Sequence, residues 1–451
     1  MAGSIESIAR NCIRYGYHNC FIAVFDCNFE DCNPLLVTKL EILSRLSGIR
    51  VQVIDRSIKN LWLADSLLPV DQARLTYALH SPGGKQSSGC NRNAILLHAA
   101  GSMHLVTDDD LFARTVVWKK PEKPSKKYNR TLPVRLLHCL EAGSFEEELT
   151  DQPVNICQSH LQYLGQNGSE PGRTILLTNP GTYGDSGFSR SHGIMFDEGN
   201  AWKKTIATGY EQLRYSRLMI RMADTDTEGQ DIHLLGMQTG FDGTVLLPPF
   251  FPVGRNEDSL FALMTRICHP SSETAWPGWA LEHRPEPSRI VSREELIGFR
   301  PHLSELIMAQ LIQNLPPADL VNPADRLRSL GDHLQFIGAL SITDMTEALH
   351  SSWADQAVYH AQKAEYLLKT ERRRPEAWQN DMAEHLECVN RLLGDPDVLF
   401  SEKGCGLSGK EAGSHIRRYG ALLECWPEMY EWAIDRNKND PLPLGTLKDL
   451  S

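Results

Sequence analysis

Several features are missing from this chain, and each absence excludes something. No stretch of the 451 residues approaches the ~18 uninterrupted apolar residues of a membrane-spanning helix. The opening MAGSIESIARNCIRYGYHNCFIAVF has no basic stretch leading into an apolar run and a small-residue cleavage site, so no signal peptide is expected. There is no His-Glu-x-x-His pair for a zinc hydrolase. Gly83-Gly84-Lys85 is a turn without the remainder of a phosphate-binding P-loop. The 11 cysteines follow no zinc-ligand spacing. Positive charge is also scarce, and the formal net charge of −11 disfavours a general nucleic-acid binder. Internal repeats and long low-complexity tracts are absent. The expectation is a cytoplasmic protein with buried free thiols and no transmembrane segment.

What is present is a two-part chain. At 41% hydrophobic and 23% charged, the composition suits a folded globular protein, and the length exceeds the ~250–300 residues at which one core usually stops growing. Residues 20–26, 50–55 and 103–107 read as strands, and 34–46, 70–80 and 91–100 as helices. This alternation predicts right-handed crossovers and a mostly parallel sheet covered on both faces. The stretch 120–172 opens on the basic KKPEKPSKK and reads as a surface excursion. Strands are expected at 174–178, 191–196 and 243–247, with helical character over 200–222 and 256–267, the latter capped by Asn256. From 300 onward, segments 303–314, 333–350, 353–371, 376–394 and 413–436 carry helical periodicity. The expected division is 1–299 and an all-helical 300–451.

The residues able to carry chemistry lie in the first part. Asp108-Asp109-Asp110 follow an apolar strand, and alternation of side chains lets Asp108 and Asp110 face one way. Two carboxylates on one side make a hard oxygen site suited to Mg²⁺ or Mn²⁺, and a solvated helix cap is the competing reading. One helix earlier, Gly89-Cys90-Asn91-Arg92 opens a helix whose N-terminus favours phosphate, with Arg92 able to fork onto it. Asp26 and Asp55 end the first two strands, where a base or ribose is held. Glu257-Asp258 stand at a helix start; one carboxylate, with Asp258 favoured and Glu257 in support, would serve as general base. His283 is a candidate third metal ligand, and Arg284 and Arg289 are candidate phosphate contacts.

In that order, Asp55, then GCNRNAILLHAAGSMHLVTDDD, then GRNEDSLFALM, then a late histidine, the chain resembles the GT-A glycosyltransferases, especially the inverting family-2-like group. The likeness spans about residues 18–290, and local agreement is strong only at 89–110 and 254–264. The resemblance implies a Rossmann-like α/β domain for sugar nucleotides over 1–299. It implies Mn²⁺ or Mg²⁺ as cofactor, a nucleoside-diphosphate sugar as donor, and transfer to an acceptor hydroxyl. Asp55 would hold the base, Arg92 the diphosphate or base, Asp108 to Asp110 the ribose and metal, Asp258 the acceptor proton, and His283 the metal. Asn91 departs from the family's alanine, and the helices after 300 match none of its modules. Two other readings are a sugar nucleotidyltransferase and a non-catalytic interaction protein on a decayed domain of this kind. The acidic DCNFEDC after the first strand disfavours the former, and the intact acidic and Arg92 set disfavours the latter. The C-terminal helices are also a candidate surface for oligomerisation.

Overall fold

A computed structural model describes residues 2–439 apart from 19, 26–33, 66–69, 81–86, 122–133, 140, 142, 169–170, 186–193, 200–201, 203–204, 206–208, 231–233, 235–236, 286–296 and 403. In chain order its elements are α1 (Ala2–Arg14), β1 (Phe21–Phe25), α2 (Pro34–Ser47), β2 (Arg50–Ile54), α3 (Arg56–Leu63), α4 (Gln72–Leu79), α5 (Ser88–His98), β3 (Met103–Thr107) and β4 (Leu111–Trp118). Then come β5 (Arg135–His138), α6 (Gly143–Glu148), β6 (Leu149–Asp151), α7 (Ile156–Leu161), β7 (Thr174–Thr178), β8 (Gly181–Asp185), α8 (Tyr210–Leu213), β9 (Leu218–Met222), β10 (Thr227–Gly229) and β11 (Gln238–Asp242). The rest are α9 (Glu257–Cys268), β12 (Ser272–Trp276), β13 (Ala280–His283), α10 (Leu303–Gln313), α11 (Pro323–Ala339), α12 (Ile342–Thr370), α13 (Glu376–Gly394), a 3₁₀ turn (Pro396–Phe400) and α14 (Gly409–Asn439). No described helix is long and apolar enough to cross a membrane.

The chain is mixed α/β with a helical C-terminal region, and its sheets are only partly parallel. β1 and β2 pair in parallel, Phe21 against Arg50 through Phe25 against Ile54, with α2 as the crossover. The expected third neighbour, β3, pairs elsewhere. Its whole length is taken antiparallel by β11, from Gln238 opposite Thr107 to Asp242 opposite Met103. Two larger sheets result, in the orders β10-β12-β7-β11-β3 and β5-β9-β8-β13-β4-β6. Within them only β12 with β7 and β13 with β8 are parallel. The mostly parallel sheet inferred from the βαβ rhythm is therefore corrected to a mixed arrangement. Local periodicity identifies a strand but does not choose its partner.

The chain passes between the two large sheets five times: β3 into β4, β6 through α7 into β7, β7 into β8, β9 into β10, and β12 into β13. The acidic triplet is the link between β3 and β4. Several local expectations also change. Ile194 and Met195 are helical, not part of a strand. The 200–222 segment holds a short helix and then β9. Residues 243–247 are a turn and loop, and the strand is the preceding β11. The 120–172 stretch contributes two short strands to the second sheet, where β5 pairs with β9 and β6 with β4.

The apolar core does not stop at residue 300. One buried cluster joins Leu96, Leu177, Phe241, Phe261 and Met264 to Leu330, Trp353, Tyr419 and Trp426. Each large side chain so buried contributes about 1.5–3 kcal/mol. The last helix also fastens the loop after β11. Trp426 Nε1 donates to Leu247 O at 2.7 Å, the Tyr419 hydroxyl to Pro249 O at 2.8 Å, and the Tyr430 hydroxyl to Gly243 O at 3.0 Å. A loop carrying two consecutive prolines offers few backbone donors, so its carbonyls need side-chain partners.

Candidate functional site

Helix α5 begins earlier than its apolar periodicity suggests, because Ser87 caps it: Cys90 N donates to Ser87 Oγ at 3.1 Å. The first turn lies directly on the 249–253 loop. A Cβ on Gly89 would stand 2.0 Å from Phe251 O, so only glycine permits the approach. Buried Asn93 locks the same seam: Phe250 N donates to its Oδ1 at 2.7 Å, and its Nδ2 donates to Phe250 O at 3.0 Å. This seam carries the chain into α9 and places Glu257 opposite Arg92.

Arg92 is the centre of the cluster. Its guanidinium donates to Glu257 Oε1 at 2.6 Å and to Asp108 Oδ1 at 3.4 Å, and lies 5.6 Å from the Phe250 ring centre. Burial works against the charge on Arg92, but Asp108, Glu257 and Asp258 outweigh it and hold its pKa above the ordinary value. Ser88 Oγ also donates to Glu257 Oε1. Glu257 is thus a buried partner that fixes Arg92, not a carboxylate open to substrate. Asp258 sits beside it with Oδ1 accepting from Ser259 N at 2.9 Å. Asn256 occupies the N-cap position as expected but does not cap with its side chain. It adopts φ +63°, and its Nδ2 donates to Glu305 Oε1 at 3.1 Å.

The three aspartates diverge. Asp108 turns to Arg92, Asp109 is exposed, and Asp110 turns to His283. Burial raises the Asp108 carboxyl to about 7, with Arg92 opposing the rise and Asp110 adding to it. His283 reaches the triplet because β13 pairs with β4, His283 opposite Leu111, and Arg284 N donates to Asp110 O at 2.9 Å. His283 Nε2 is 3.1 Å from Asp110 Oδ2, and Nδ1 faces Asp185 O. Burial opposes protonation of His283, but the hydrogen bond and charge of Asp110 prevail and raise its pKa. Burial would raise Asp110, yet His283 brings its pKa below the ordinary value. The second oxygen, Asp110 Oδ1, is buried and has no hydrogen-bond partner among the described residues. Such an orphaned acceptor, in a cluster with five carboxylates and two cations, fits a place for a metal ion.

The fit is partial. Among the described residues no group of three His, Cys, Asp or Glu side chains stands ready to hold a metal. Were a cation to bind, Asp110 and His283 would supply two ligands, and water and phosphate oxygens would have to fill the remaining positions. Both nitrogens of His283 face acceptors, so coordination through Nε2 requires that proton to leave.

The other expected residues lie further out. Asp55 caps α3, accepting from Ile58 N at 3.1 Å and Ser57 Oγ at 2.6 Å. One turn on, Lys59 Nζ donates to Asn91 Oδ1 at 2.9 Å, which ties α3 to the residue before Arg92. Arg284 leans on Phe112, 4.7 Å from its ring centre, and pairs with Glu282 at 2.6 Å. Asp26 and Arg289 lie outside the described residues. Sequence reading passed over Ser88, Lys59, Asn93 and Asp185. Lys59 carried a signal, since a lysine on the buried face of a short helix needs a polar partner.

Comparisons of the chain with protein-family models, with curated proteins and with solved structures find no match.

Proposed function

We propose that the chain is a metal-dependent glycosyltransferase of GT-A type that moves a sugar from a nucleoside-diphosphate donor to an acceptor hydroxyl with inversion. The supporting observation is convergence. Residues from three distant parts of the chain meet at the β3–β4 link, Arg92 with Asp108 and Glu257, and Asp110 with His283. A divalent cation beside Asp110 and His283 would neutralise charge on a departing diphosphate.

The chain's own residues divide the rest of the work. Arg92, held by Glu257 and Ser88, would present its guanidinium to the diphosphate and exchange the long contact to Asp108 for phosphate. Asp258, beside the clamp and not part of it, would take the acceptor proton. Asp55 would accept from the base while capping α3. Glu257, first regarded as a supporting base, is assigned to positioning Arg92.

Calorimetry with UDP and GDP in the presence of Mn²⁺ tests the reading. Binding should be lost with EDTA and in Asp110→Ala, and a screen of sugar nucleotides should show metal-dependent hydrolysis of one of them. Absence of binding by either diphosphate sinks the proposal.

A further inference from the structure

Away from the acidic cluster, three cysteines gather where the N-terminal helix meets α7. Cys12 lies on α1 and Cys157 on α7, 145 residues apart, and their sulfurs are 3.8 Å from each other. Cys20, just before β1, also hydrogen-bonds with Cys12. We propose that Cys12 and Cys157 are a peroxide-reactive thiol pair, in which a hydroperoxide oxidises Cys157 and Cys12 then closes a disulfide that staples α1 to α7.

The geometry favours this bond. The two segments are already tied around the sulfurs. Asn11 Nδ2 donates to Val154 O at 2.9 Å, Ile156 N to Asn11 Oδ1 at 3.3 Å, and the Tyr17 hydroxyl to Gln158 Oε1 at 2.8 Å. A disulfide requires the sulfurs to move from 3.8 Å to ~2.05 Å. Burial assigns the roles. Cys157 is half-buried and open to a small oxidant, whereas Cys12 is buried and shielded. The hydrogen bond from Cys12 lowers the pKa of Cys157 despite the opposing effect of burial, which favours thiolate on the less buried partner.

The chemistry balances in two steps. The Cys157 thiolate attacks a hydroperoxide oxygen, the O–O bond breaks, and the departing alkoxide or hydroxide takes a proton. Cys157 is then a sulfenic acid. The Cys12 sulfur attacks it, the S–O bond breaks, and hydroxide leaves as water with the Cys12 proton. Two thiols and one hydroperoxide give one disulfide, one alcohol or water, and one further water.

The staple has a structural consequence at the acidic triplet. The same helix holds the start of β4: Ser4 Oγ donates to Leu111 O at 2.5 Å, and Ala113 N donates to Ser7 Oγ at 2.9 Å. Leu111 directly follows Asp110. Oxidation would therefore anchor the helix that supports the triplet.

The test needs no catalytic assay. Reduced full-length protein is treated with equimolar hydrogen peroxide, capped with a thiol alkylator, digested without reductant and mapped by mass spectrometry. The expected product is a Cys12–Cys157 peptide pair that dithiothreitol reverses. It should persist in Cys20→Ser and vanish in Cys157→Ser, and Cys12→Ser should leave a dimedone-reactive sulfenic acid on Cys157. Recovery of both thiols alkylated while other cysteines oxidise overturns the proposal, as does a Cys12–Cys20 link as the main product. The mapping of unsubstituted protein decides the matter if a variant fails to fold.

Discussion

Arg92 and Glu257 stand 165 residues apart in sequence and meet at 2.6 Å, with little of either side chain left in water. A buried pair of this kind is weak evidence of net stability, because desolvation offsets the attraction. Its removal from one side is a different matter, since the remaining charge stays buried.

Glu257→Ala removes the shorter of the two ion pairs that Arg92 makes with Glu257 and Asp108. The expected cost is about 3–5 kcal/mol in urea unfolding, and Arg92→Ala should cost a similar amount. The double variant should lose much less than the sum, with a coupling of about 0.5–3 kcal/mol. Additive losses in the cycle would show that the pair is not energetically joined.

Gly89→Ala places a methyl 2.0 Å from Phe251 O, against backbone that cannot swing away. We expect a loss of about 1–3 kcal/mol, of the kind seen on overpacking. Gly143→Ala is the control, because nothing stands within 4 Å of its added carbon. Equal melting temperatures for the two variants would contradict the seam between α5 and the 249–253 loop.

The core shared across residue 300 predicts one cooperative calorimetric transition for the full chain and none for residues 1–299 expressed alone. Trp426→Phe should cost about 1–3 kcal/mol, because it removes the donor to Leu247 O and leaves that carbonyl buried. A cooperative melt of 1–299 by itself would separate the two halves.

Stability should fall on acidification. Burial holds His80, His98, His104, His138, His160 and His360 at a pKa of about 4 in the folded chain. Unfolded histidine titrates near 6.5, so no cost exists above about that pH. Between about 6.5 and 4 the unfolded chain binds protons that the folded chain refuses, and stability drops. Burial acts oppositely on Asp108, raised to about 7, and Asp197, raised to about 6, which hold protons more tightly when folded. The six histidines outweigh the two carboxylates, so the urea midpoint should be lower at pH 5 than at pH 7.5. A midpoint that rises on acidification would refute this balance.

Much of the site was legible in residue order. Asp110 and His283 were expected to share an ion site, and they face one another. Arg92 was expected near the triplet, and it touches Asp108. The part that was not legible is the role of Glu257. In sequence it is one half of an acidic pair at a helix start, and nothing local distinguishes it from Asp258. Only the seam built on Gly89 and Asn93 turns Glu257 toward Arg92 and leaves Asp258 beside it.

Local rules operate over a few residues, and they account for what the sequence determined by itself: the helices at 303–313 and 376–394 and the strands at 21–25, 50–54 and 103–107, whereas the helix expected at 333–350 is divided between α11 and α12 at Leu340-Ser341. Partner choice was decided in three dimensions. The hydrogen bonds of β3 are satisfied equally well by any strand of the right length, and the fold gives them to β11, not to β1 or β2. That choice places the triplet at a passage between two sheets. There β13 delivers His283 to Asp110 Oδ2, and the buried Asp110 Oδ1 has no hydrogen-bond partner among the described residues.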